Sequence, residues 1–246
     1  MRTPACRWLG QGSVGQYPTM SGRIGTSKVG WLVAYAIAAA FNLIAVWFDA
    51  HPYDTISKAL LMPLLVGYVW AALRHPFGPG DRLIVVALFF SWLGDLALEP
   101  SGDLWFYLGL GMFAIAQIGY LLAFNGVQGK RRPVRLWIAI PYVIWWITLV
   151  AVVAPKMGIL TIAVAIYGAL LLGMAATSWR VSVTSGFGGL FFALSDSLIA
   201  LESLAKVLHL SHNGVLIMAT YVFGQLFIVL GWSVPEESSA KAATTT

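Results

Sequence analysis

The chain has 246 residues, 59% of them hydrophobic and 10% charged, with a mean hydropathy of +0.80. Long runs almost free of charge mark a polytopic membrane protein and exclude a soluble domain. The formal charge of +5 reads as a topology signal rather than a nucleic-acid surface, and the single cysteine, Cys6, excludes a disulfide framework or thiolate metal site within one chain.

Residues 1–29 are rich in Gly, Ser, Thr and Arg and lack the compact apolar core of a signal peptide. They are expected to form a disordered cytoplasmic tail, in which Met20 is an alternative start. Eight windows of membrane-crossing length follow, at 30–48, 58–74, 83–98, 104–124, 136–154, 157–177, 183–206 and 214–232. The links between them hold turn chemistry, as in Glu99-Pro100-Ser101-Gly102-Asp103, and none is long enough for a separate soluble domain. Residues 233–246 are expected to be a second disordered cytoplasmic tail. The expected fold is therefore all-α, a bundle of eight transmembrane helices over residues 30–232.

With the amino terminus cytoplasmic, that side receives Arg2, Arg7, Arg23, Lys28, Arg74, Arg82, Lys130, Arg131, Arg132, Arg135, Arg180 and Lys241. Only Lys58, Lys156 and Lys206 of the 15 Lys and Arg fall on the other side, the asymmetry of the positive-inside rule. Both termini are expected to be cytoplasmic.

The third and seventh spans carry near-repeats, Leu88-Phe89-Phe90-Ser91-Trp92-Leu93-Gly94-Asp95 and Leu190-Phe191-Phe192-Ala193-Leu194-Ser195-Asp196. Gln117 of the fourth span and Gln225 of the eighth echo one another in the same way. This spacing suggests a parallel four-plus-four duplication, which would place a site at the interface of the halves. Asp95 lies 13 residues after Arg82 and Asp196 13 residues after Val183, roughly 20 Å above the cytoplasmic boundary at 1.5 Å per residue. An ionised carboxylate at bilayer depth costs about 2.5–3.5 kcal/mol or more, so it faces a partner or a wet cavity. Hydrogen bonding between helices is the plainer alternative, but Ser or Asn would serve that purpose at lower cost. Two carboxyls facing one cavity repel when both ionise, and sharing one proton makes them an acid and a base. Asp95 and Asp196 are therefore the expected catalytic residues.

Lys58, Ser91, Gln117, Tyr120, Tyr167, Ser195, Tyr221 and Gln225 are the expected substrate-binding residues. Lys58, at the start of the second span, either meets an anionic head group or pairs with Asp54. The Gln and Tyr side chains need partners at membrane depth, and bonds between helices would satisfy them as well as pocket lining. Glu202 and Lys206, spaced i,i+4, read as a local ion pair. His209 and His212 have no cysteine or carboxylate at ligand spacing and read as a surface turn, so no metal site is expected. Hydrolase-elbow, zinc-protease, phosphate-loop and dinucleotide motifs are absent from the sequence.

Lys58 to Pro63, Phe90 to Asp95, Gly109 to Tyr120, Tyr167 and Gly189 to Leu198 together resemble the YhhN-like lysoplasmalogenases, over most of residues 30–232. The resemblance implies hydrolysis of the vinyl ether bond of a lysoplasmalogen, with release of a fatty aldehyde and a glycerophospho-base and no cofactor or metal. The substrate would be a lysophospholipid or related ether lipid. The protein would be multi-pass in a cell membrane, here expected to be a bacterial inner membrane, with membrane lipids and no nucleic acid as partners. A proton-coupled lipid or small-solute transporter and a non-enzymatic lipid-binding protein are the rival readings.

Overall fold

The computed structural model describes residues 24–73, 76–126, 136–158, 160–204 and 213–233. Its helices are α1 (Ile24–Trp47), α2 (Tyr53–Ala72), α3 (Pro79–Ala97), α4 (Asp103–Gly126), α5 (Leu136–Met157), α6 (Leu160–Ser178), α7 (Val183–Ile199) and α8 (Asn213–Ser233). A five-residue π-helical segment, π1 (Ala200–Leu204), continues α7. One helix falls in each expected span. Seven are long and apolar enough to cross a membrane, whereas α3 carries Asp81, Arg82 and Asp95 within its 19 residues.

Two boundaries differ from expectation. The first helix begins at Ile24, so residues 24–29 are helical rather than part of a tail. The seventh span is α-helical only to Ile199 and then π-helical. Most of both expected tails, together with Lys206, His209 and His212, lies outside the described residues.

Local chemistry explains where several helices start. Pro79 opens α3, where its missing N–H would be unsatisfied in any case, and Asp81 Oδ2 accepts from the Gly78 amide at 3.0 Å. Ser182 caps α7 by accepting from the Ser185 amide at 3.0 Å. The turns after α3 and α5 use Gly102 (φ +124°) and Gly158 (φ +53°), conformations that strain a residue with a Cβ.

Lipid supplies little hydrophobic drive for helices to associate, so close packing relies on small side chains. A Cβ on Gly188 would stand 2.4 Å from the Ile228 amide nitrogen, and one on Gly224 would stand 2.8 Å from that of Phe192. Thus α7 and α8 meet backbone to backbone. Gly189 brings α7 equally close to Ala175 and Ser178 of α6.

Consecutive helices pair as α1–α2, α3–α4, α5–α6 and α7–α8, while α2 also packs on α3 and α6 on α7. Cross-contacts join α4 to α6 and α8 to both α2 and α1. Large apolar side chains such as Ile37, Phe41 and Ile44 of α1, and Val143, Ile144 and Ile147 of α5, remain exposed. They suit contact with lipid tails.

Candidate active site

Helical periodicity alone turns both acids inward. The buried face of α3 runs Gly80, Ile84, Ala87, Leu88, Ser91, Gly94, Asp95, and that of α7 runs through Ser185, Gly188, Gly189, Phe192, Ala193 and Asp196. Asp95 is 3% exposed and Asp196 9%, so each needs a polar partner from another helix. Each has a tyrosine.

The Tyr221 hydroxyl of α8 donates to Asp95 Oδ2 at 2.7 Å, and the Tyr167 hydroxyl of α6 donates to Asp196 Oδ2. A glutamine lies against each phenol: the Gln225 carboxamide faces Tyr221 and the Gln117 carboxamide faces Tyr167. Gln225 Oε1 also accepts from Tyr120 at 2.6 Å, and Tyr120 approaches Ser91. The polar residues at membrane depth thus form two clusters, one around Asp95 with Tyr221, Gln225, Tyr120 and Ser91, the other around Asp196 with Tyr167 and Gln117.

Between the clusters lies an aromatic core. Phe113, Phe192 and Tyr221 meet edge to face at centroid separations of 5.6–6.2 Å, a favoured geometry for aromatic quadrupoles. Phe113 belongs to α4 and Phe192 to α7, so the core ties both hairpins together.

A cavity of about 50 Å³ opens beside Asp196. A buried water needs roughly 10–15 Å³ by this measure, so the space suits a few waters or a short piece of acyl or alkenyl chain. Phe106, Leu110 and Phe113 of α4 form one wall, Val164 and Leu171 of α6 another, and Leu149 of α5 with Ile199 and Ala200 of α7 and π1 complete it. Its polar side chains are Asp196 and Tyr167. The π-helical register begins at Ala200, on the cavity wall, and such departures from α-helix recur at functional sites.

The cavity does not reach Asp95. Asp95 is absent from its lining, and among the described residues α3 and α7 share no extended packed face. Of the two carboxyls expected to face one cavity, only Asp196 lines this one, while Asp95 stands within electrostatic reach of Asp196. Depth fixes height in the bilayer but not which neighbour a helix chooses. The small residues of α7 face α6 and α8, and Gly119 of α4 packs against Ala87 of α3.

Other expected site residues fall elsewhere. Lys58 pairs with Glu99 Oε1 at 2.9 Å, and Thr55 donates to Glu99 Oε2 at 2.6 Å. Asp54, considered as the partner of Lys58, is instead met by His51 Nδ1 at 2.8 Å. This cluster sits one helical turn beyond Asp95, beside Leu98 of the cavity wall. The Ser195 hydroxyl donates to the Ile217 carbonyl at 2.9 Å and joins α7 to α8 rather than lining the cavity. Glu202, expected to pair with Lys206, accepts from Asn213 at 2.7 Å.

Sequence reasoning missed Tyr35 of α1, which is fully buried, donates to the Val222 carbonyl at 2.9 Å and stands close to Asp95. The signal was weak, because one tyrosine in an apolar helix looks like an interfacial anchor. Among the described residues, no group of three or more His, Cys, Asp or Glu side chains could hold a metal.

Residues 53–232 match the model of the YhhN family. The chain is 30% identical over 185 residues to the human protein named lysoplasmalogenase TMEM86B, covering 75% of each chain. It is 31% identical over 201 residues to human lysoplasmalogenase TMEM86A, covering 75% of this chain and 81% of that one. Against a lysoplasmalogenase of Mycobacterium tuberculosis it is 28% identical over 244 residues, covering 86% and 88% respectively. No solved structure matches.

Proposed function

The chain belongs to the YhhN family, and from that premise we propose that it hydrolyses the vinyl ether bond of lysoplasmalogens within the membrane. The lysoplasmalogenase relatives support the reaction class. The observation that carries the reading to this chain's own residues is a buried carboxyl, Asp196, held by a tyrosine at an otherwise apolar cavity.

The chemistry follows from what a vinyl ether does. Protonation of the alkenyl carbon remote from the ether oxygen leaves an oxocarbenium ion, to which water adds. The resulting hemiacetal breaks into a fatty aldehyde and a glycerophospho-alcohol. Asp196 is the acid, because it has access to the cavity. Tyr167 occupies Oδ2, so Oδ1 is the oxygen left to meet substrate. Having given up its proton, the Asp196 carboxylate stabilises the cation and takes a proton from the attacking water. Asp95 is the second carboxyl of the reaction, its charge supporting the cation from outside the cavity. The apolar walls receive the alkenyl chain, and Lys58 with Glu99 lies where a phosphate-bearing head group would reach.

The protein purified in detergent, given a 1-alkenyl lysophospholipid and no ion gradient, is expected to release fatty aldehyde. Asp196→Asn should abolish that release while leaving the fold intact. Substrate binding or gradient-driven lipid uptake with no aldehyde would instead favour a carrier and overturn the enzyme reading.

A further inference from the structure

One helical turn beyond the cavity wall on α4 stands a group that packing alone does not explain. Phe106, Leu110 and Phe113 line the cavity at helical spacing along α4, and the next residues on that stripe are Gln117 and Tyr120. Gln117 is fully buried, and neither its Oε1 nor its Nε2 has a hydrogen-bond partner. Leaving one buried amide group unsatisfied costs about 1–3 kcal/mol, so a carboxamide that lies beside Tyr167 without making a hydrogen bond of good geometry is expected to hold a polar ligand. Ser91 Oγ, beside Tyr120, and Gln225 Nε2, beside Tyr221, likewise make no hydrogen bond of good geometry. The unsatisfied atoms thus come from three helices, α3, α4 and α8.

We propose that Gln117 positions the hydrolytic water. The inference rests on the vinyl ether reading and adds to it the residue that presents the nucleophile. One water hydrogen is directed to Asp196 Oδ1 and the other to Gln117 Oε1, which leaves an oxygen lone pair for the oxocarbenium carbon. The carboxamide NH2 turns to the Tyr167 oxygen, whose own proton is committed to Asp196. As the new carbon–oxygen bond forms, the first hydrogen passes to Asp196 and regenerates the acid. The hemiacetal hydroxyl then loses its proton as the bond to the glyceryl oxygen breaks, that oxygen takes a proton, and substrate plus water equals aldehyde plus alcohol. A carboxamide suits the task because it carries donor and acceptor together and cannot compete with Asp196 for the proton.

The two chemical steps can be separated in deuterated water. Gln117→Met keeps the volume but removes both polar atoms, so water addition should fail while protonation of the alkene continues and reverses. Aldehyde release is expected to fall about 100-fold, the scale of a misplaced reacting group, and recovered substrate should carry deuterium at its alkenyl carbon. Gln117→Ala, which leaves room for an extra water, should release aldehyde faster than Gln117→Met. Wild-type turnover in Gln117→Met would overturn the proposal. So would loss of aldehyde release and deuterium exchange together in a variant whose thermal unfolding matches wild type, because Gln117 would then serve protonation. Failure of the wild-type protein to release aldehyde or exchange deuterium would instead overturn the vinyl ether reading, and this inference with it.

Discussion

Asp95 and Asp196 each accept one tyrosine hydrogen bond on Oδ2, so it is access to the cavity that fits Asp196 to hand on a proton. Replacement of a positioned acid typically costs about 10²–10⁴ in rate, and Asp196→Asn should lose that much aldehyde release. Tyr167→Phe removes the bond to Asp196 together with the phenol oxygen that Gln117 faces. Hydrogen bonds to charged groups are worth about 1.5–3 kcal/mol, so a loss of about 10- to 100-fold is expected. Asp95→Asn should also suppress turnover, and adding Tyr221→Phe to it should cost little more, because the pair acts as one unit; full additivity in kcat would show that the two act separately. Lys58→Ala should raise KM more than it lowers kcat, since its partner Glu99 stands outside the cavity. A fall in kcat at constant KM would place Lys58 in the chemical step instead. At this scale the acids, Tyr167, Tyr221 and the two glutamines were legible, because a polar residue in an apolar run has few cheap explanations. Ser91 and Ser195 show the limit: both serines belong to the repeated motif, yet one sits by Tyr120 and the other bonds the Ile217 carbonyl. They stand four residues and one residue before their aspartates and so on different faces of their helices, and sequence does not state which neighbour each face meets.

Helices that meet backbone to backbone turn a methyl group into a test of packing. Gly188→Ala would drive its Cβ to 2.4 Å from the Ile228 amide nitrogen, a contact with backbone that cannot rotate away. Overpacking of this kind costs about 1–3 kcal/mol, and the thermal unfolding temperature in detergent should fall. Gly111→Ala meets nothing within 4 Å and gains up to about 1 kcal/mol of helix propensity, so its unfolding temperature should hold or rise. Equal behaviour of the two variants would refute the α7–α8 contact. The spans themselves were readable from hydropathy, and Pro79 and Ser182 marked two starts through known capping chemistry. The π-helical segment was not readable. No residue pattern from Ala200 to Leu204 distinguishes it from ordinary helix, and packing of π1 against α5 and α7 accompanies the change of register.

If all eight helices cross, the chain returns to the side on which it began, and the orientation of the bundle then decides which compartment the cavity adjoins. The cavity is lined by the carboxy-terminal ends of α3 and α7 and the head of α4, and the Lys58–Glu99 pair belongs to that end. Asp81 with Trp232, and Ser182 with Gly231, mark the other. Hydropathy shows that the chain spans the membrane, but only charge distinguishes its sides, and 12 of the 15 basic residues fall on the side of the termini. The termini should therefore be cytoplasmic and the cavity should lie in the opposite leaflet, with the polar product leaving away from the cytoplasm. In a Cys6→Ser background, Gly102→Cys is expected to react with a membrane-impermeant maleimide in intact cells, and Gln128→Cys only after permeabilisation. The reverse pattern would invert the protein and put the products in the cytoplasm, while labelling of both positions in intact cells would break the eight-span topology on which the placement of Asp95 and Asp196 at one depth depends.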